Sequence, residues 1–180
     1  MTVKKVVVIG PESTGKSSLC AMLATHFSSS WCPEYAREYL TTNGKEYQYN
    51  DLLKIAKSQL ILEDRYTNEL IESKKNPVLF VDTDMFVMKV WCEYVFHECH
   101  QFILQQICER KYDLYLLCDV DLPWVQDELR EYPEDGPRKE LYQIYKDLLV
   151  NQSVPWVEIN GNFEEREQAA IDAVSRLLYQ

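Results

Sequence analysis

A chain of 180 residues, 46% hydrophobic and 27% charged, holds enough apolar material for one compact domain with a substantial core and is too short for two. Its 29 acidic against 19 basic residues give a formal net charge of -10 at pH 7, which excludes broad electrostatic binding to DNA, RNA or anionic lipid but leaves room for a local phosphate site. The run Val6–Ile9 is too short for the apolar core of a signal peptide, no stretch is apolar enough to span a bilayer, and the six cysteines show no CxxC spacing, so the chain reads as a cytoplasmic protein with reduced thiols.

In chain order, strand and helix signals alternate. Val3–Ile9 is β-branched and nearly continuously apolar, as suits a central strand of a parallel sheet buried on both faces. Gly10–Gly15 reads as a turn and Lys16–Phe27 as a helix. Ser30–Pro33 is a short strand and Tyr35–Leu40 a short helix. A long helix covers Asp51–Ser73, with Asp51 as its N-cap and Leu52, Ile55, Ala56 and Leu60 on one face. Asn76–Pro77 breaks the chain before a buried strand, Val78–Asp82. Met85–Arg110 is helical with a break near His97–His100, and Tyr112–Cys118 is a third buried strand. Residues 119–138 form a charged, proline-containing connection; Lys139–Asn151 is a helix, Trp156–Ile159 the last strand, and Asn160–Gly161 turns into a final helix. Such alternation implies a parallel sheet with helices on both faces, in one domain over 1–180. No repeat, tail or exposed amphipathic element marks a protein partner.

Gly10-Pro11-Glu12-Ser13-Thr14-Gly15-Lys16-Ser17 satisfies G-x-x-x-x-G-K-[ST] in full, between a buried strand and a helix. Glycines let the backbone wrap closely with its N–H groups turned inward, and the helix beginning there adds the positive end of its dipole. Lys16 reaches the β- and γ-phosphates of ATP, Ser17 supplies a hydroxyl to Mg2+, and Ser18 follows at the helix start.

Ligands of open α/β sheets bind beyond the carboxyl ends of the strands. Glu34, Tyr35 and Arg37 follow one strand, Asp82 and Asp84 another, and Arg130 and Arg138 lie in the 119–138 connection. Phosphoryl transfer needs cations on the moving group and a carboxylate at the acceptor hydroxyl. Glu34 is the first candidate for that carboxylate and Asp84 the second, whereas Asp82, ending a buried strand, suits a magnesium water or the acceptor. The planar forks of Arg37, Arg130 and Arg138 match phosphate oxygens.

Taken together, the phosphate loop, Pro-Glu-Tyr-Ala-Arg-Glu-Tyr at 33–39, Asp-Thr-Asp at 82–84, Trp91, Tyr-Asp-Leu-Tyr-Leu-Leu at 112–117, Leu-Pro-Trp-Val-Gln-Asp at 122–127 with Arg130, and Asn-Gly at 160–161 resemble the ribosylnicotinamide kinase domain of the NadR-like P-loop kinases. The resemblance implies a three-layer P-loop, nucleoside-kinase-like fold with a lid at about 119–138. It also implies ATP- and Mg2+-dependent phosphorylation of a small-molecule riboside, nicotinamide riboside, at its 5′-hydroxyl, with Asn160 and Gly161 near the adenine. A cationic pyridinium substrate calls for aromatic faces and carboxylates, and Tyr35, Trp91 and Trp124 with Glu34, Asp82 and Asp84 provide that inventory. Bifunctional members of the family carry an adenylyltransferase domain ahead of the kinase; this chain starts at the first strand, and the second activity is not expected. Glu128 stands where the family pattern has glycine.

Overall fold

The computed structural model describes residues 2–125, 129 and 135–179, with only the backbone described at 135. The elements are β1 (Lys4–Ile9), α1 (Lys16–His26), β2 (Ser30–Cys32), α2 (Tyr35–Asn43), α3 (Tyr49–Glu72), β3 (Val78–Asp82), α4 (Met85–Phe96), α5 (Gln101–Glu109), β4 (Leu114–Cys118), α6 (Asp135–Val150), β5 (Trp156–Ile159) and α7 (Phe163–Tyr179). Among the described residues the strands form one five-stranded sheet in the order β2-β3-β1-β4-β5, and each pairing is parallel. The parallel sheet covered by helices on both faces is the one expected from the alternating pattern, and the three-layer P-loop kinase-like architecture is the one the family resemblance implies.

A parallel strand covered on both faces must be apolar on both, and β1 shows why its sequence does not alternate. Val6 and Val8 join a core with α1 and α7, built around Leu23, Phe80, Leu116, Ala170 and Val174. Val7 and Ile9 face the opposite way, onto Leu70, Leu117, Tyr145 and Leu149 of α3, β4 and α6. A third cluster, around Leu52, Ile55, Met88, Cys92 and Ile103, locks α3, α4 and α5 into a side wall. Each fully buried aliphatic side chain of this kind contributes roughly 1.5–3 kcal/mol. Four of the cysteines, Cys20, Cys32, Cys92 and Cys118, are buried free thiols.

Several boundaries depart from the sequence reading. Asp51 is not the N-cap of the long helix. That helix begins at Tyr49 with Gln48 as its cap, and Asp51, three residues on, accepts the Gln48 N–H at 2.9 Å. The break expected near His97–His100 is, by contrast, borne out: α4 ends at Phe96, capped by His97 at a left-handed φ of 58°, and α5 starts at Gln101. The helix expected at Lys139 begins at Asp135, and that expected to end at Leu40 runs on to Asn43, where Gly44 stops it.

Strand order places the site. β1 lies between β3 and β4; from it the chain fills one side through β2 and β3 and then crosses to β4 and β5 on the other, so the phosphate loop sits at the point where the sheet order reverses. Gly10 shows how tight that crossing is: its φ is 146°, and a Cβ there would stand 2.7 Å from the Cys118 carbonyl oxygen.

Candidate active site

The loop Gly10–Ser17 wraps with three outward-facing carbonyls held by side chains. Pro11 O accepts from Thr14 Oγ1 at 2.8 Å and from Lys16 Nζ at 2.7 Å. Ser13 O accepts from Arg138 Nη2 at 3.4 Å, and Thr14 O from Arg166 Nη1 at 3.1 Å. Left-handed backbone at Ser13 (φ 57°) and Gly15 (φ 79°) completes the turn into α1. A Cβ on Gly15 would also meet Leu122 Cδ1 at 3.3 Å.

A cavity of about 210 Å³ opens over this loop. Residues 10–18 floor it at one end; Glu34, Arg37 and Thr83 stand in the middle; Val87, Val90, Trp91 and Tyr94 of α4 wall the far end. The structure therefore brings the phosphate loop, Glu34, Arg37 and Trp91 to one space. Tyr145 of α6, which carried no sequence signal, also reaches it.

Asp82 lies beneath the loop, fully buried. Its Oδ2 accepts from Ser17 Oγ at 2.5 Å, while its Oδ1 is buried with no hydrogen-bond partner among the described residues. An orphaned carboxylate oxygen next to a serine hydroxyl is the donor set that Mg2+ takes from P-loop proteins, which leave its remaining positions to water and phosphate. Ser17 and Asp82 thus fit the metal. Among the described residues, no group of three or more His, Cys, Asp or Glu could hold a metal ion.

Burial raises the Asp82 pKa above the usual carboxylate range, opposed by the Lys16 charge and the Ser17 hydrogen bond. Glu34, half-buried, is pushed up to about 7, first by burial and then by the neighbouring Asp82 charge, with Lys16 pulling the other way. A carboxyl group titrating near neutrality at the mouth of a phosphate site has the basicity of a general base. Between Asp82 and Asp84, Thr83 is held at φ 85°, a left-handed conformation costing a β-branched residue about 1–3 kcal/mol. Its hydroxyl is buried and has no partner among the described residues.

Other expected residues stand elsewhere. Asp84 does not line the cavity. Its Oδ1 caps α4, accepting from the amides of Phe86 at 3.0 Å and Val87 at 3.3 Å, and its Oδ2 accepts from the Tyr115 hydroxyl at 2.9 Å. Tyr35 packs its ring toward the α3–α4–α5 cluster and donates its N–H to Gln59 Oε1 at 2.7 Å. The guanidinium of Arg138 lies over the Trp124 ring, 5.5 Å from its centroid, so Trp124 braces the start of α6. Val125 N–H, in the 119–138 connection, donates to Ser13 Oγ at 2.9 Å. Asn160 is exposed, and Gly161 (φ 90°) makes the turn into α7; neither lines the main cavity. Arg130, Asp127 and Glu128 lie outside the described residues.

Besides Tyr145, two residues at the site escaped the sequence reading. Tyr47, between α2 and α3, accepts the indole N–H of Trp91 at 2.8 Å, its ring edge-on to the indole at 5.0 Å. The other is Arg166, 4% exposed, which enters the loop from behind. Neither is part of a local motif.

The chain matches the AAA domain family over residues 5–166. It is 29% identical to the trifunctional NAD biosynthesis/regulator protein NadR of Escherichia coli (strain K12) across 98% of this chain and 43% of that protein, so it spans less than half the length of this curated relative. The fold superposes on a crystal structure of NadR in complex with NR with a TM-score of 0.80 at 23% identity, covering 99% of this chain and 51% of that one. A second, of NadR with NAD and AMP-PNP, gives a TM-score of 0.73 at 25% identity, over 97% and 49%. No helix among the described residues is long and apolar enough to cross a membrane. With the loop's strand–turn–helix context and the switch-point cavity in place, the chain belongs to the AAA domain family of P-loop proteins and resembles NadR along nearly its whole length.

Proposed function

We propose that this protein transfers the γ-phosphoryl group of ATP to the 5′-hydroxyl of nicotinamide riboside, giving nicotinamide mononucleotide and ADP. One observation carries the reading: a single cavity runs from the phosphate loop, past Glu34, to the indole of Trp91. The similarity to NadR, which has been crystallised with NR and, separately, with NAD and AMP-PNP, supports it.

In this mechanism the amides of residues 13–17 and the Lys16 ammonium hold the triphosphate, the ammonium leaving Pro11 O to meet the β- and γ-oxygens. Bound Mg2+, held by Ser17 and Asp82, would supply charge neutralisation to the phosphate oxygens. Glu34, with its raised pKa, accepts the proton of the 5′-hydroxyl as the oxygen attacks phosphorus. Arg37, beside it in the cavity, stabilises charge on the transferring group. The pyridinium ring stacks on Trp91, whose face attracts a cation. Arg130 is expected to close over the nucleotide from the lid; Arg138, buried at the start of α6, acts by holding the Ser13 carbonyl of the phosphate loop, and Asp84 by fixing the start of α4.

The test is direct. The purified protein is incubated with ATP, Mg2+ and a panel of nucleosides and nucleoside monophosphates, and products are identified by mass spectrometry. Nicotinamide mononucleotide is the expected product. Phosphorylation of a different acceptor in its place, or ATP loss with no phosphorylated acceptor, would overturn the assignment.

A further inference from the structure

Arg166 sits in α7, in the stretch Phe163-Glu164-Glu165-Arg166-Glu167, which reads as an exposed acidic helix start. Its side chain is nonetheless buried and fully used. Nη1 donates to Thr14 O at 3.1 Å, Nη2 to Asp119 O at 2.9 Å and Nε to Gly161 O at 3.0 Å. Asp121 pairs with the same guanidinium and accepts the Gly161 N–H at 2.5 Å. One planar cation thus joins the phosphate loop, the end of β4 and the β5–α7 turn.

In a trans peptide the carbonyl and the following N–H point in opposite directions across one rigid plane. Thr14 and Gly15 line both the main cavity and a separate small one; Arg166 lines only the small one, with Leu19, Leu122 and Phe163. Pulling Thr14 O back toward Arg166 therefore turns the Gly15 N–H forward, into the space for phosphate. We infer that Arg166 is a positioning residue for the nucleotide: it presets the Thr14–Gly15 peptide for phosphate and ties that setting to the Asp121–Gly161 turn. An unliganded loop would otherwise tend to rotate this peptide toward water. A guanidinium suits the task because it has donors for several carbonyls in one plane and stays charged.

The inference rests on the reading of this cavity as the ATP site, and its test does not depend on the acceptor. Calorimetry on the full chain measures binding of AMP-PNP with Mg2+, of tripolyphosphate with Mg2+, and of adenosine. Arg166→Met keeps most of the buried stem and removes the donors; AMP-PNP and tripolyphosphate are expected to weaken by a common factor of about tenfold. Adenosine is expected to change by less than about twofold. Unaltered tripolyphosphate binding, or a loss confined to adenosine, would overturn the proposal. If Arg166→Met does not fold, Asp121→Asn removes the carboxylate that steadies the guanidinium, and the same paired loss for AMP-PNP and tripolyphosphate, about threefold, is expected. Equal affinities in that variant would likewise overturn it. A protein that phosphorylates some other nucleoside would still pass or fail this test on its own terms, and a failure here would leave the acceptor assignment standing.

Discussion

The two ends of the cavity are built from different materials. At the phosphate end the ligand-facing groups are backbone amides, fixed by a contiguous stretch, Gly10–Ser17, and by side chains that hold its carbonyls from behind. At the acceptor end the wall is side chains, Val87, Val90, Trp91 and Tyr94, presented by one face of α4 and steadied from a distant loop through Tyr47. Main-chain recognition is written in a local motif and tolerates little change. Side-chain recognition is spread over the fold and can be retuned one residue at a time, so substitutions at the two ends should differ in kind as well as in size.

The largest effect is expected at the phosphate end. Lys16→Ala should cut turnover by about a thousandfold or more while leaving the fold intact, because the ammonium acts where charge develops. Steady-state rates with a circular dichroism control measure this, and a wild-type rate would remove Lys16 from the mechanism. Between the two ends, Glu34→Gln is expected to slow transfer by about a hundredfold. With the Glu34 pKa at about 7, wild-type kcat should fall as the pH drops below that value and the carboxylate takes up a proton. The Gln variant should lose this limb, and an unchanged profile would assign the limb to another group.

At the acceptor end, Trp91→Ala should raise the riboside KM by about three- to thirtyfold and leave that for ATP within about twofold, the span of a desolvated cation–π contact. Tyr47→Phe, which removes only the hydroxyl that accepts the indole N–H, should shift the same KM in the same direction by about twofold to fivefold. Equal shifts in both substrates' KM values would dissolve the division between the ends.

The smallest effect belongs to Asp84, outside the cavity. Asp84→Ala should lower stability by about 1–2 kcal/mol, through the lost cap, with little change in either KM. Burial raises the folded Asp84 pKa to about 7, against roughly 3.9 for an unfolded aspartate. A group with a raised folded pKa contributes stability that is complete below the unfolded value and is lost as the pH climbs through the folded one. Thermal stability should accordingly decline between about pH 4 and pH 7, and Asp84→Asn should flatten that decline. A variant as steep as the wild type would place the titration elsewhere.

The same division explains what could be read from the sequence. The phosphate loop was legible because its chemistry lies within eight consecutive positions between two strong periodic signals. The central strands were legible because burial on both faces leaves an unbroken apolar run, as in residues 78–81 of β3. Arg166 was hidden because its partners, Thr14, Asp119, Asp121 and Gly161, are scattered along the chain and share no spacing. Asp84 stands in the same Asp-Thr-Asp run as Asp82, yet the strained turn at Thr83 separates them: one carboxylate faces the loop serine, and the other turns back onto α4. Trp124 has the residue type expected of a substrate cage, but the ring braces Arg138. Only the three-dimensional path of the backbone decides such cases.

The clamp on Thr14 spans 152 residues of sequence. A ribosome makes the amino-terminal end first, so the phosphate loop emerges long before the helix that steadies it. On this geometry, nascent chains halted before α7 lack the clamp and should hold ATP at least about tenfold more weakly, however well the first strand and helix have formed. Nucleotide occupancy would then report that synthesis has run through to the last helix.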